Sequence, residues 1–119
     1  IQADGGTRTA SITGGFVALS LAIKKYIKSN KSIQNPIKDY VAAISCGIVK
    51  SEVLVDLDYS EDSIAEVDAN FVITKKSGFS EVQATGEENT FHKNELVEMM
   101  EKVELVSEKI FKIQKGALE

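Results

Sequence analysis

The chain has 119 residues, 43% of them apolar, and a formal net charge of −4, which suits one domain with its own core and excludes a disordered segment. No apolar run approaches the ~20 residues that cross a bilayer, and the single cysteine, Cys46, excludes an internal disulfide and a multi-cysteine zinc site. The acidic balance argues against a free-standing nucleic-acid binder, whose face would be basic.

The charge is unevenly spread. Residues 1–50 hold Arg8 and six lysines against Asp4 and Asp39, whereas residues 51–68 hold seven carboxylates and no cation. Nothing reads as a secretory leader or a membrane segment, so a reducing cytoplasm is the expected compartment. The chain opens on Ile1 rather than methionine, and further sequence is expected before it.

In chain order, Ile12, Phe16, Leu19, Ile23 and Ile27 fall at helical spacing and predict a helix over about 9–29. Val17, Leu21 and Ala22 widen its apolar face, so cover on more than one side is expected. Lys24, Lys25 and Lys28 suit the negative end of its dipole. Asn30 and then Asn35-Pro36 mark an exit and a connector.

VAAISCGIV at 41–49 and EVLVDLDY at 52–59 follow as two strands joined by Lys50-Ser51, a two-residue hairpin with a weak turn pair. In the second strand Val53, Val55, Leu57 and Tyr59 would share one face. Strands at about 67–74 and 79–85 come next, joined by KKSG with Gly78 as the turn residue. A final helix over about 93–115 would turn Leu96, Met99, Val103, Val106, Ile110 and Ile113 to the sheet. His92 stands at its start as a poor cap, with Glu95 three residues on. Helix, two hairpins and helix make an α+β fold with a mainly antiparallel four-stranded sheet.

Two stretches could carry chemistry. In DGGTRTASITGG, residues 4–15, four glycines and four hydroxyl residues crowd a helix start. Backbone N–H groups there lack helical partners, so Gly5 and Gly6 would let an anion approach closely. Thr7 and Thr9 would add hydroxyls, and Arg8 a planar cation suited to phosphate oxygens. The competing reading is a capped helix in which Arg8 pairs with Asp4. The stretch is neither a P-loop nor a dinucleotide fingerprint.

In DLDYSEDSIAEVD, residues 56–68, the carboxylates of Asp56, Asp58, Glu61, Asp62, Glu66 and Asp68 would repel one another. Binding a hard cation such as Mg²⁺ or sharing a proton would relieve them; a solvated acidic turn is the alternative. An EF-hand fails, because Glu61 and Val67 stand where glycine and glutamate belong. No nucleophile elbow accompanies His92, which reads as a surface residue, and Cys46 in its apolar strand reads as a buried small hydrophobe.

Taken in order, IQADGGTRTASITGG, NPIKDYVAAISCGIV, VDLDYSEDSIAEVDANFV and SEVQATGEE resemble the second half of bacterial ribonuclease PH over nearly the whole chain. That family consists of phosphate-dependent 3′ exoribonucleases that trim tRNA 3′ ends and release nucleoside diphosphates. The resemblance implies a phosphate site at Gly6, Thr7 and Arg8. It implies catalytic and Mg²⁺-binding roles for Asp62 and Asp68, with Glu61 and Glu66 supporting them or facing solvent. It also implies a homo-oligomeric ring, a hexamer built from dimers, with residues 1–34 as the last helix of a first subdomain and 35–119 as the second subdomain. One departure is QATGEE at 83–88, where the family reads close to QGTAEG. The alternatives are a non-catalytic structural subunit or truncated remnant of the same fold, and a small metal- or phosphate-binding module unrelated to RNA.

Overall fold

The computed structural model describes residues 5–119. Helix α1 (Thr7–Ser29) is followed by strands β1 (Val41–Val49) and β2 (Glu52–Val55), a short helix α2 (Tyr59–Ile64), strands β3 (Val67–Thr74) and β4 (Gly78–Gly86), and a long helix α3 (Lys93–Leu118). The four strands form one sheet in the order β2-β1-β3-β4, antiparallel throughout. The expected α+β class is what the chain adopts.

One face of the sheet is built for a core. Ala42, Ile44, Cys46 and Ile48 alternate along β1, and their register partners Ile73, Phe71, Ala69 and Val67 lie beside them on β3. All eight are buried together with Met99, Val103 and Phe111 of α3. Removing a side chain of this size from water stabilises by about 1.5–3 kcal/mol, so this layer dominates folding. Cys46 is buried as expected, and burial pushes its thiol up to about 11, which keeps it protonated and inert.

Two helix faces differ from the sequence reading. On α3 the buried stripe is Met99, Val103, Ser107, Phe111 and Gln114, while Ile113 is 72% exposed. The stripe follows helical spacing, but two of its members are polar. Ser107 satisfies itself on the Glu104 carbonyl, and Gln114 Nε2 donates to the carbonyls of Thr13 and Val41 at 3.1 and 2.9 Å.

On α1 only Thr9, Phe16 and Ser20 are buried, and Leu19, Leu21 and Tyr26 are exposed. Cover on more than one side is therefore not seen among the described residues, because α1 lies along the free edge of β1 rather than between two layers. β2 pairs only with residues 46–49 of β1, which leaves the Ala43 backbone short of a strand partner. Thr13 Oγ1 supplies it, accepting from the Ala43 N–H at 3.0 Å and donating to the Ala43 carbonyl at 3.2 Å.

The hairpins close as expected, one of them on unfavourable residues. Lys50 and Ser51 have φ of 51° and 63°, the left-handed geometry a two-residue hairpin demands and that glycine or asparagine adopts more readily. Gly78, at φ 94°, meets the same demand without strain. β2 stops at Val55, not at Tyr59, because Asp56 turns to φ 61° and leads the chain away from the sheet. Leu57 is then buried in a small cluster with Val49 and Ala65, and Tyr59 is 66% exposed.

The QATGEE departure has a local explanation. Ala84 pairs with Ala69 on the core face and packs against the cluster beneath α3. A side chain at Gly86 would collide with the backbone of Asn89 and Thr90, where the chain folds back. The glycine stands where that turn requires it.

Candidate functional site

The opposite face of the sheet is polar. Antiparallel partners share a face, so Ser45 on β1, Asp68 and Asn70 on β3, and Glu81, Gln83 and Thr85 on β4 project together, away from α3. Two segments converge on this face: the turn that starts α1, and the stretch from Asp56 through α2.

The first is held by glycine geometry. Gly6 caps α1 with φ 60°, and its carbonyl accepts from the Ala10 N–H and from Thr9 Oγ1, both at 2.9 Å. A Cβ on Gly5 would stand 2.7 Å from the Leu57 carbonyl oxygen, so only glycine lets the two segments touch. The second is tied down by Ser45, whose carbonyl accepts from the Asp56 N–H at 2.8 Å and whose hydroxyl accepts from the Leu57 N–H at 3.3 Å.

The acidic run has a divided purpose. Asp58 caps α2, its Oδ1 accepting from the Glu61 N–H at 2.8 Å, and Glu61 reaches back to the Asp58 N–H at 3.0 Å. This reciprocal capping box uses two carboxylates structurally. The Asp58 carboxyl is held below its ordinary range by hydrogen bonds from the Ser60 hydroxyl and the Glu61 N–H. Glu66 continues the ladder, its N–H donating to the Ile48 carbonyl and its own carbonyl accepting from Glu87, both at 2.8 Å. Asp56 lines a neighbouring recess with Gly5 and Gly6, which leaves Asp62, in α2, and Asp68, the second residue of β3.

Those two join the helix start. A pocket of about 180 Å³ is lined by Gly6, Thr7, Arg8 and Thr9, by Ser45 and Leu57, and by Asp62, Asp68 and Asn70. All five sequence-predicted site residues thus line one small cavity. The Asp68 carboxyl is pushed above its ordinary range, first by burial and then by the negative charges of Asp62 and Glu87. Two carboxylates held near one another in a polar recess are suited to a hard cation, and Mg²⁺ asks for only one or two of them while keeping waters. Among the described residues no cluster of three or more His, Cys, Asp or Glu side chains converges, so a closed protein cage is not what this site offers.

Arg8 is held by a residue outside the predicted set. Its Nη2 donates to both carboxylate oxygens of Glu81, at 2.9 and 3.1 Å. Asp4, the partner that the sequence suggests for Arg8, lies outside the described residues. No local pattern could have indicated Glu81, which is separated from Arg8 by 73 positions and meets it through sheet geometry. His92 is exposed, as expected, and its N–H donates to Glu95 Oε1 at 2.8 Å.

Comparison with known proteins decides the family. Residues 39–102 match the model of the 3′ exoribonuclease family, domain 2. The chain belongs to the 3′ exoribonuclease family. It is 51% identical over 119 residues to ribonuclease PH of Bacillus cereus strain AH820 and likewise of Bacillus anthracis strain CDC 684. In both cases 99% of this chain and 49% of the relative are covered, so the chain spans about half the length of the curated relatives it matches. The crystal structure of rice (Oryza sativa) Rrp46 superposes with a TM-score of 0.79 at 21% identity, over 99% of this chain and 50% of that one. That likeness carries the fold of this 3′ exoribonuclease-family chain. No helix of the described residues is long and apolar enough to cross a membrane.

Proposed function

We propose that the chain is the site-bearing half of a phosphate-dependent 3′ exoribonuclease, one that trims tRNA 3′ ends and releases nucleoside diphosphates. The observation that carries this is the shared pocket: an amide-rich, arginine-bearing helix start and two repelling aspartates line one cavity. The 51% identity to ribonuclease PH supports the same reading.

Inorganic phosphate is already a nucleophile, so what the site must supply is position and charge compensation. Gly6, Thr7 and Arg8 would bind and orient the attacking phosphate with backbone N–H groups, a hydroxyl and the guanidinium. One phosphate oxygen forms a bond to the terminal phosphorus as the bond to the 3′ oxygen of the preceding nucleotide breaks. That oxygen takes up a proton, and the departing nucleotide carries two phosphates. Asp62 and Asp68 would either hold Mg²⁺ together, which would offset negative charge on the transferring phosphoryl group, or divide the work, one relaying that proton while the other holds the cation.

The same reading assigns residues 1–34 to the last helix of a preceding subdomain and 35–119 to the second subdomain. It places the complete protein in a cytoplasmic ring of dimers. The test supplies the other half of the Bacillus cereus relative in trans, with a 3′-labelled tRNA precursor. Nucleoside diphosphates should form only with added phosphate, and Asp62→Asn should slow their release by about a thousandfold or more. Nucleoside monophosphates formed without phosphate would contradict the proposal.

A further inference from the structure

We infer that Glu81 is a positioning residue for phosphate, acting through Arg8. The inference rests on the phosphate-site reading above and extends it to a residue on a different strand.

Glu81 sits on β4 opposite Val72, on the same polar face as Asp68 and Asn70. A bare carboxylate beside an anion site would repel the anion. The geometry offers compensation. Both Glu81 oxygens engage a single nitrogen, Nη2, of Arg8. A guanidinium carries five N–H donors in a rigid plane, so Nη1 and Nε keep theirs, and among the described residues no acceptor engages them. Arg8 also lines the pocket with Gly6 and Thr7. An unheld arginine would sample many rotamers, and ordering it on ligand binding would cost affinity. One edge of the plane anchored by Glu81 leaves the other edge available to oxygens bound at the amides of the helix start.

The pair is half-exposed on both sides, so its benefit is modest and its sign is the informative quantity. Phosphate affinity of this chain is measured by titrating inorganic phosphate and following the Gly6–Arg8 amide resonances in wild type, Glu81→Ala, Glu81→Gln, Arg8→Ala and the Glu81→Ala/Arg8→Ala double variant. Glu81→Ala should weaken phosphate about two- to fivefold, and Glu81→Gln, which keeps an acceptor oxygen, should retain most of the affinity. In the Arg8→Ala background Glu81→Ala should add no further loss.

Tighter or unchanged phosphate in Glu81→Ala, or the same loss with and without Arg8, would overturn the inference while leaving the phosphate site intact. Affinity unaffected by Arg8→Ala, or no binding at all, would remove the phosphate-site reading and this inference with it. Unchanged amide spectra away from the pocket establish that each variant is folded.

Discussion

The two faces of the sheet are made of different material. Beneath α3, alternating Ala, Ile, Cys, Val and Phe side chains of β1 and β3 pack together. On the other face, Ser45, Asp68, Asn70 and Glu81 look toward a turn with a left-handed glycine and toward an acidic helix of one and a half turns. Size and shape decide the first face; on the second, electrostatics and close backbone approach decide. The core face holds the chain together, and the polar face spends part of that stability on carboxylates that repel.

The largest effect should follow from breaking the core face. Phe71 is fully buried and edge-on to Phe79 at 5.9 Å between ring centroids. Phe71→Ala should cost about 3–5 kcal/mol, read from the midpoint of urea unfolding. A loss below 1 kcal/mol would mean that the face beneath α3 is not the main source of stability.

A smaller and local effect is expected where α2 is capped. Asp58→Ala removes one half of the capping box and should speed hydrogen exchange at the Glu61 and Asp62 amides about fivefold. Exchange beneath α3 should be unchanged, because the Asp58 side chain bonds only to Ser60 and Glu61 of its own helix.

The smallest effect reverses the usual sign. Burial, Asp62 and Glu87 raise the folded-state pKa of Asp68, so the folded chain binds this proton more tightly than the unfolded chain. The favourable contribution of Asp68 is therefore complete below its unfolded pKa of about 3.9 and is lost as pH rises through the raised value. Asp68→Asn should raise the melting temperature by a few degrees at pH 7, with the gain shrinking toward pH 3. An equal gain at both values would show that repulsion at the polar face is not its cause.

The same contrast explains what could be read from the sequence. β3, β4 and the two long helices follow from alternation and helical spacing, because burial of one face imposes a period on the residues that fill it, whereas β1 follows from a continuous apolar run, being buried on both faces. Helix α2 did not, since six residues are too few to display a period. Its signal was the Asp58…Glu61 capping pair, hidden among carboxylates that suggested an extended strand and a cation site. The apolar pattern of α3 departs from its buried stripe by one residue at its end, because Ser107 and Gln114 occupy buried positions that apolar residues usually hold. The pairing of Gly6, Thr7 and Arg8 with Asp62 and Asp68 in one pocket was legible through family resemblance. Glu81 was not, because its significance arises only when β4 is laid beside β3.

The most direct test of the central claim is a residue-by-residue map of amide shifts as inorganic phosphate is added to the chain. A second, larger groove of about 520 Å³, walled by Phe16, Ile27 and Tyr40 and rimmed by Lys24, Lys38, Lys75 and Lys76, provides an internal rival for any anion drawn simply by positive charge. The proposed site predicts saturable shifts confined to Gly6–Thr9 and to the neighbours of Asp62 and Asp68. Shifts centred on the lysine-rimmed groove, with the helix start silent, would contradict it.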